Sequence, residues 1–362
     1  MPALSATNNY VSSPPPPPLL RSSRNTNLLP LLRPSSSSFP SLSKSISLKP
    51  KTLETTIAPP KYSANDGISL ATPSQSPSHS NLNLKARLAH GETLYGLFLL
   101  TFSPTLAEIA GLAGYDFVVV DMEHGYGGIS DALPCLRALA AASTAAVLRI
   151  PESSPTWAKK ALDLGPQGIM FPMIDSPKLA KKAVSYCRFP PSGVRGSAHP
   201  VVRASKYGMN EGYLERYEEE LLIMCQVETE EGAKRAGEIA GVEGVDCVQM
   251  GPLDLSGSLG YLWDPGHKKV REVVGEVEKA VLGGGGKGAY LGGFAMPHDG
   301  PEQLRRRGYR MVSGAVDVGL FRSAAAEDVR RFKTSTSTSS EDATAPAANN
   351  KDIDEDDKYW SE

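Results

Sequence analysis

Between Asn83 and Lys333 the chain alternates short apolar runs with longer segments in which apolar residues recur at helical spacing. Runs such as Phe117–Val120 and Leu222–Val227 lack the polar alternation of a half-exposed strand. They therefore predict strands that are buried on both faces, as in a parallel sheet. The eight predicted strands are Leu94–Leu100, Phe117–Val120, Ala145–Ile150, Gly168–Met173, Leu222–Val227, Cys247–Met250, Ala289–Phe294 and Met311–Val316.

A predicted helix follows nearly every predicted strand, and several of these helices open with proline directly after serine or glycine, as first helical turns do. Strict alternation predicts parallel strands joined by right-handed crossovers. Eight units in about 250 residues favour a closed (β/α)₈ TIM barrel over an open doubly wound sheet. The predicted helices are Pro104–Ala113, Ile129–Ala142, Pro155–Leu164, Pro177–Tyr186, Glu230–Ala240, Lys268–Leu282, Pro301–Arg307 and Leu320–Phe332.

The two ends of the chain differ from this pattern. Residues 1–80 are rich in serine and proline, and the first sixty contain one acid, Glu54, against six basic residues. Such a composition is typical of an organelle transit peptide, and the prolines favour the chloroplast over the mitochondrion; a merely disordered tail is the alternative. Residues 334–362 combine a Thr/Ser run with an acidic end, which predicts disorder. The barrel is thus expected at 81–333.

Overall composition excludes several classes of protein. A net charge of −2 with 40% hydrophobic residues suits a globular protein and provides no basic surface for nucleic acid. No apolar run reaches the roughly 18 residues that span a bilayer, so no membrane segment is expected. The four cysteines have no C-x-x-C spacing. A reduced compartment, with neither a disulfide framework nor a zinc site, is therefore expected.

Polar residues cluster at the predicted carboxyl ends of the strands, which all face one mouth of a barrel. Two carboxylates among them, Glu228 and Asp254, with only oxygen ligands nearby, suit a hard cation such as Mg²⁺ or Mn²⁺. The strand-end residues are Asp121, Glu123, His124, Arg149, Gln226, Glu228 and Asp254.

Two further strand-end side chains, Arg149 and His124, would complete an enolate site. Arg149 has the fork geometry that binds a carboxylate or an enolate, and His124 is suited to proton transfer near neutral pH. Metal, arginine and histidine around a 2-oxo acid would stabilise an enolate. Structural roles without catalysis remain alternatives: Asp254 could cap a turn, Arg149 could form a salt bridge to Glu228, and His124 could be a hydrogen-bonded histidine at the rim of the barrel.

As a set, these segments resemble the HpcH/HpaI aldolase family, class II pyruvate-dependent aldolases typified by 2,4-dihydroxyhept-2-ene-1,7-dioate aldolase. The resemblance covers about residues 91–332. It is carried by Asp121-Met122-Glu123-His124, Leu148-Arg149-Ile150-Pro151, Phe171-Pro172-Met173, Pro190-Pro191-Ser192-Gly193-Val194-Arg195-Gly196, Gln226-Val227-Glu228-Thr229 and Gly251-Pro252-Leu253-Asp254-Leu255-Ser256.

The resemblance implies a barrel of the phosphoenolpyruvate/pyruvate type that acts on a small 2-oxo acid. The expected assembly is a homo-oligomer, a trimer or hexamer, with the last helix exchanged between partners. Glu228 and Asp254 would bind Mg²⁺, Mn²⁺ or Co²⁺, which also chelates the substrate. Gln226 and the backbone of Leu253 and Asp254 would contact its pyruvate part.

The resemblance also assigns the proton chemistry. Arg149 would stabilise the enolate, His124 would be the base, and Asp163 would raise the basicity of that histidine. Two loops depart from the family: Gly125-Tyr126-Gly127 stands where Ala-Pro is usual, and Ser197 stands where a second glycine is common. Both loops are expected to shape the aldehyde side of the site.

The function these features favour is a metal-dependent carbon–carbon lyase, which cleaves a 4-hydroxy-2-oxo acid into pyruvate and an aldehyde. No lysine stands at these strand ends, where an aldolase acting through a Schiff base would need one. One alternative is a citramalyl- or malyl-thioester lyase, although the sequence has no clear basic patch for the phosphates of coenzyme A. The other is a non-catalytic plastid barrel that acts as a binding protein.

Overall fold

The computed structural model describes residues 83–284 and 288–337, and its central feature is a closed barrel of eight parallel strands. The strands follow one another around the ring in chain order, and the last pairs with the first. The predicted (β/α)₈ barrel is therefore confirmed. The strands are β1 (Leu94–Leu99), β2 (Phe117–Asp121), β3 (Ala145–Arg149), β4 (Gly168–Phe171), β5 (Leu222–Val227), β6 (Cys247–Met250), β7 (Tyr290–Phe294) and β8 (Met311–Val316).

Helices surround the barrel, and most occupy the predicted segments. The predicted helix Glu230–Ala240 is divided at Arg235, whose backbone leaves the helical region. The helices are α1 (Leu84–Ala89), α2 (Pro104–Ala113), α3 (Ile129–Ala141), α4 (Pro155–Asp163), α5 (Pro177–Cys187), α6 (Tyr213–Glu220), α7 (Glu230–Lys234), α8 (Ala236–Ala240), α9 (Pro252–Ser258), α10 (Lys268–Leu282), α11 (Pro301–Arg307) and α12 (Asp317–Ser337).

Three of these helices begin with the same Ser-Pro pair. The side chains of Ser103, Ser154 and Ser176 each accept a hydrogen bond from a backbone N–H in the first turn of α2, α4 and α5. Proline then occupies the first helical position, where no N–H is needed. The sequence therefore fixes where these helices start, and with them the direction in which each chain segment returns to the next strand.

The apolar core has two layers separated by the sheet. One lies between the strands and the outer helices, and the other fills the inside of the barrel. Helix α1 closes the amino end of the barrel, because Leu84 and Leu88 are buried in the inner layer. The carboxyl ends of the strands remain as the open end, where barrels of this type carry their active sites.

Some sequence predictions lie at or beyond the described residues. The proposed transit peptide and linker at 1–80 lie outside them. Of the tail predicted to be disordered at 334–362, residues 334–337 are instead helical, and the rest lies outside the described residues. The last helix runs from Asp317 to Ser337 and so extends past both ends of its predicted range, Leu320–Phe332. In the part of the chain that the structure describes, no helix has both the length and the apolar composition to cross a bilayer. All four cysteines are buried and free.

Candidate active site

The centre of the open end is the buried guanidinium of Arg149, which terminates β3. Its partner is Asp121 at the end of the neighbouring strand, where the two residues stand in register. Arg149 Nε donates to Asp121 Oδ1 at 2.8 Å, and Nη2 donates to Oδ2 at 2.5 Å. This bidentate pair holds the arginine in one orientation. The alternative of a salt bridge from Arg149 to Glu228 is wrong.

Burial alone would lower the pKa of Arg149, but the hydrogen bonds and charge of Asp121, together with the charges of Glu123 and Glu228, raise it. The third nitrogen of Arg149, Nη1, lies 3.1 Å from Glu123 Oε2 and donates to Gln226 Oε1 at 3.3 Å. Below the guanidinium lies the ring of Phe98, 4.9 Å from the Arg149 Cζ atom to the ring centroid. The arginine is thus a permanent, oriented cation at the floor of the open end.

Asp121 also sets the position of His124. Its Oδ1 atom accepts hydrogen bonds from the backbone N–H groups of Glu123 at 3.0 Å and His124 at 3.4 Å. These bonds shape the turn after β2 so that the exposed histidine lines the open cavity. The buried carboxylate of Asp121 therefore orients both Arg149, which is expected to stabilise the enolate, and His124, which is expected to be the base.

Glu228 follows β5 and is buried, with 1% of its surface exposed. Its Oε1 atom accepts a hydrogen bond from the backbone N–H of Met173 at 2.7 Å, and its Oε2 atom accepts one from Gln226. Met173 has a left-handed backbone with φ of 54°, which directs its N–H toward this carboxylate. Burial raises the pKa of Glu228 to about 7, and the charges of Glu123 and Asp254 add to the increase.

Glu123 is the third carboxylate of the cluster. Burial raises its pKa to about 7; Arg149 acts against this increase, while Asp121 and Asp254 add to it. Its buried Oε2 atom makes no hydrogen bond, although Arg149 is close. Several carboxylates thus face one another beside the guanidinium of Arg149. An additional cation among them would lower the free energy of their charged forms.

Asp254 lies in the first turn of α9 and is exposed to the cavity. Glycine at position 251 lets the chain pass close to Glu228: a Cβ atom there would lie 2.6 Å from Glu228 Oε2. Oxygen donors in a buried, anionic site fit a hard divalent cation. In the described residues no three His, Cys, Asp or Glu side chains form a metal site by themselves. Glu228 and Asp254 would therefore share such an ion with water and substrate oxygens.

A cavity of about 770 Å³ opens above these groups at the carboxyl ends of the strands. The predicted residues His124, Arg149, Gln226, Leu253 and Asp254 line it. Glu228 lies just beneath and reaches the cavity through its hydrogen bond to Gln226. Six of the seven predicted site residues are thus close together.

The seventh, Asp163, is not part of this cluster. It ends α4, and its Oδ1 atom lies 3.4 Å from Nη2 of Arg195, a nearly buried arginine in the loop after α5. The carboxyl ends of helices lie at the opposite end of a (β/α)₈ barrel from the carboxyl ends of strands. The prediction that Asp163 raises the basicity of His124 is therefore not supported by the arrangement within one protomer.

The two loops that were expected to shape the aldehyde side of the site pack elsewhere within one protomer. The Arg195–Ser205 loop packs against α4 and the turn after it, since Arg203 donates to the Leu164 carbonyl and a Cβ atom on Gly165 would contact Ala204. Gly125 and Gly127 pack against the ring of Phe102, where a Cβ would clash. Neither loop lines the cavity apart from His124 itself. These glycines permit close packing rather than an open space.

Sequence reasoning missed three contributors to the site. Asp121 was recognised as a strand-end acid but not as the anchor of Arg149, and Met173 and Gly251 stood in the family segments without a role. A signal existed for the first: Asp121 follows the predicted strand Phe117–Val120 and Arg149 lies near the end of the next, Ala145–Ile150, and parallel pairing of the two strands brings them into register. For the other two the determining feature is backbone conformation and spacing, which the sequence does not display.

Comparison with known proteins is consistent with this geometry. The sequence profile of the HpcH/HpaI aldolase/citrate lyase family matches residues 94–324. A 2-keto-3-deoxy-L-rhamnonate aldolase from Escherichia coli K12 is 36% identical over 249 residues, which is 69% of this chain and 92% of that protein.

Solved structures are similar along the same part of the chain. An HpcH/HpaI aldolase/citrate lyase family protein from Burkholderia cenocepacia J2315 is 37% identical with a TM-score of 0.65, covering 69% of this chain and 98% of that one. The citrate synthase SbnG is 26% identical with a TM-score of 0.62, covering 70% and 99%.

Proposed function

The chain belongs to the HpcH/HpaI aldolase/citrate lyase family, and from this premise we propose that it cleaves a 4-hydroxy-2-oxo acid into pyruvate and an aldehyde with a divalent metal ion. The observation that carries the proposal is the arrangement of Arg149, fixed by Asp121, beside the buried carboxylate of Glu228. A fixed cation and a metal-binding carboxylate in one cavity suit the charge that develops on an enolate.

Glu228 and Asp254 would hold the ion, which when bound polarises the 2-oxo group of the substrate and offsets negative charge in the transition state. Gln226 and the backbone at Leu253 and Asp254 would orient the pyruvate part. His124 would accept the proton of the C4 hydroxyl as the C3–C4 bond breaks and the aldehyde forms. The electron pair of that bond passes to C3 as an enolate, which Arg149 stabilises until C3 takes up a proton to give pyruvate.

The test of this function uses the full chain, stripped of metal and then supplied with Mg²⁺, Mn²⁺ or Co²⁺. We expect pyruvate release from a panel of 4-hydroxy-2-oxo acids only when metal is present. In the variant His124→Ala we expect release to fall by about 10²–10⁴-fold, the usual contribution of general acid–base catalysis. Metal binding in that variant should be unchanged.

The matched control is His90→Ala, because His90 follows α1 at the closed end of the barrel. Its activity should equal that of the unmodified protein. Pyruvate release without metal, or full activity in His124→Ala, would contradict the proposal.

We also propose that the protein is a homo-oligomer built through α12. This helix is anchored at its start, where Asp317 accepts hydrogen bonds from the backbone of Leu100 and Thr101. Beyond that point it exposes large apolar side chains, with Phe321 74% and Phe332 71% exposed. Exposed aromatic residues along one helix indicate a partner surface, and a second copy of this chain is the partner that the family resemblance implies. A monomeric mass in light scattering would contradict this.

We predict the location of the protein in the cell from residues 1–80 alone. Their serine-rich, acid-poor composition supports import into a chloroplast. A fluorescent protein fused to these residues should enter plastids; accumulation in the cytosol would contradict the prediction.

A further inference from the structure

The open cavity has two chemically different halves. Its charged half holds Arg149, His124 and Asp254, the residues assigned above to the pyruvate part and to proton transfer. The other half is lined by apolar side chains of the barrel and its loops, Leu262, Trp263, Phe294 and Met296 among them. In a 4-hydroxy-2-oxo acid C4 and its substituent become the aldehyde, and a substrate whose pyruvate part lies at the charged residues would place that substituent against the apolar ones.

The apolar half begins directly beside the enolate site. Phe98 lies under Arg149 and packs edge-to-face against Phe294, with ring centroids 5.6 Å apart. Met296, which follows β7, is buried and lines the same cavity as this pair. Carbon–carbon cleavage at Arg149 would thus release the aldehyde against an aromatic wall rather than into water.

The outer part of this wall is a short loop between α9 and α10. Tyr261 stacks on His267 with ring centroids 3.7 Å apart, and the backbone N–H of Asp264 donates to the carbonyl of Tyr261 at 3.0 Å. These contacts close the loop into a compact turn. Leu262 and Trp263 stand at its tip, 67% and 53% exposed, and both line the cavity.

The backbone at Trp263 is unusual, since its φ of 65° is a left-handed conformation that a bulky residue rarely adopts. Such outliers cluster at ligand-contacting positions, where the surrounding structure holds them. The indole lines the active-site cavity with half of its surface exposed, so a ligand in the cavity can contact it directly.

The scarcity of charged side chains away from the pyruvate end of the cavity favours an apolar ligand. Among the described residues of the cavity, the only charged side chain beyond the pyruvate end is Arg322, on the exposed part of α12. A polyhydroxylated chain would find few partners for its hydroxyl groups along Leu262, Trp263 and Met296, and hydroxyls buried without partners bind poorly.

On the basis of the proposed function, we propose that the substrate carries an apolar group, aliphatic or aromatic, on C4, and that Trp263 determines this specificity. In the reverse direction, C3 of pyruvate loses a proton and attacks the carbonyl carbon of an apolar aldehyde. One C–C bond forms, and the carbonyl oxygen takes up a proton to become the C4 hydroxyl. No further reactant is needed.

The experiment measures aldol addition of pyruvate to hexanal and benzaldehyde, compared with glyceraldehyde and succinic semialdehyde, using the full chain with Mn²⁺. We expect the two apolar aldehydes to react with kcat/KM at least tenfold above the others. In Trp263→Ala this advantage should fall by about 10–200-fold, the range for lost apolar contacts in a pocket. The variant Trp263→Phe should recover most of it.

Tyr207→Ala is the matched control, because Tyr207 is also an aromatic residue with positive φ, 58°, and 53% exposure, but lies far along the chain in the loop before α6. It should keep the full preference. A second readout, exchange of the pyruvate methyl protons for deuterium, requires the enolate chemistry but no aldehyde. It should proceed equally in the unmodified protein and in Trp263→Ala.

Each outcome is distinct. Methyl exchange together with a preference for glyceraldehyde or succinic semialdehyde would overturn this inference and leave the proposed function standing. Equal loss of exchange and of all aldol reactions in Trp263→Ala would make Trp263 a structural residue, which also overturns it. Absence of metal-dependent exchange in the unmodified protein would refute the proposed function itself, and the inference with it.

Discussion

Replacing Asp121 with asparagine is expected to destabilise the barrel by about 3–5 kcal/mol, because it leaves a buried guanidinium without its main partner. Asparagine has nearly the same shape but no charge, and its amide nitrogen would face one of the two donating nitrogens of Arg149. Glu123, whose pKa is raised by burial, is the remaining carboxylate within 3.1 Å of the arginine.

The same substitution is expected to reduce kcat/KM by about 10²-fold or more, since small displacements of positioned groups have effects of that size. Two groups would be displaced together. Arg149 loses its bidentate anchor, and the turn that carries His124 loses the acceptor of two backbone N–H groups. Because the variant still contains both catalytic side chains, the loss would measure their orientation rather than their presence.

The measurement is urea unfolding together with steady-state kinetics, each on Asp121→Asn and on Asp116→Asn. Asp116 is a close control: it precedes β2 whereas Asp121 ends it, and it too binds an arginine, Arg87 at 2.6 Å, and a backbone N–H, that of Tyr95. Arg87 keeps Glu92 as a second partner, so this change should have a smaller effect on stability and none on the rate. Equal effects of the two substitutions would contradict the role given to Asp121.

The strands were predictable because a strand buried on both faces needs a continuous run of apolar residues, which is easy to find in the sequence. The bounds of β5, β6 and β8 agree with the apolar runs, and the Ser-Pro pairs located the starts of α2, α4 and α5. Three short helices, α1, α6 and α9, were not predicted. Helix α6 carries five charged residues in eight and has only Tyr217 buried, so it lacks the apolar content that marks the other helices.

The site was predictable as a set of strand-end residues but not as a set of contacts. Parallel pairing of β2 with β3 decides that Arg149 meets Asp121, and this register depends on the whole barrel. Glu228 was expected beside a cation, but the N–H of Met173 that orients it comes from a backbone conformation that sequence does not reveal. The role of Asp163 as the residue that raises the basicity of His124 was assigned by resemblance alone. Within one protomer Asp163 ends α4, at the opposite end of the barrel from His124, and pairs with Arg195.

Glu228→Gln is expected to abolish metal-dependent pyruvate release and to weaken Mn²⁺ binding by more than the ~10–100-fold typical of losing a residue that merely supports a ligand. The substitution removes the negative charge that the ion would bind. Binding is best measured by titration calorimetry on metal-free protein. Glu243→Gln, a change at an exposed glutamate just before β6, should bind Mn²⁺ normally.

The pH dependence of binding follows from the carboxylate itself. Burial raises the pKa of Glu228 to about 7 in the metal-free protein, and only the deprotonated form binds a cation. Mn²⁺ affinity should therefore fall as the pH decreases, by about tenfold per pH unit once the pH is below this pKa. An affinity that stays constant between pH 8 and pH 5 would contradict the assignment of Glu228 as a ligand.

The stability of the metal-free protein should change in the opposite direction. Folding raises the pKa of Glu228 from 4.5 to about 7, so the folded state binds protons more tightly than the unfolded state. The resulting stabilisation is fully present below the ordinary pKa of 4.5 and is lost as the pH rises through 7. The Tm of metal-free protein should accordingly decrease from pH 5 to pH 8. Glu228→Gln should reduce this decrease, leaving the part due to Glu123, whereas Glu243→Gln should not. Saturating Mn²⁺ should raise the Tm most at pH 8, where the charged carboxylates repel one another and the bound ion relieves that repulsion.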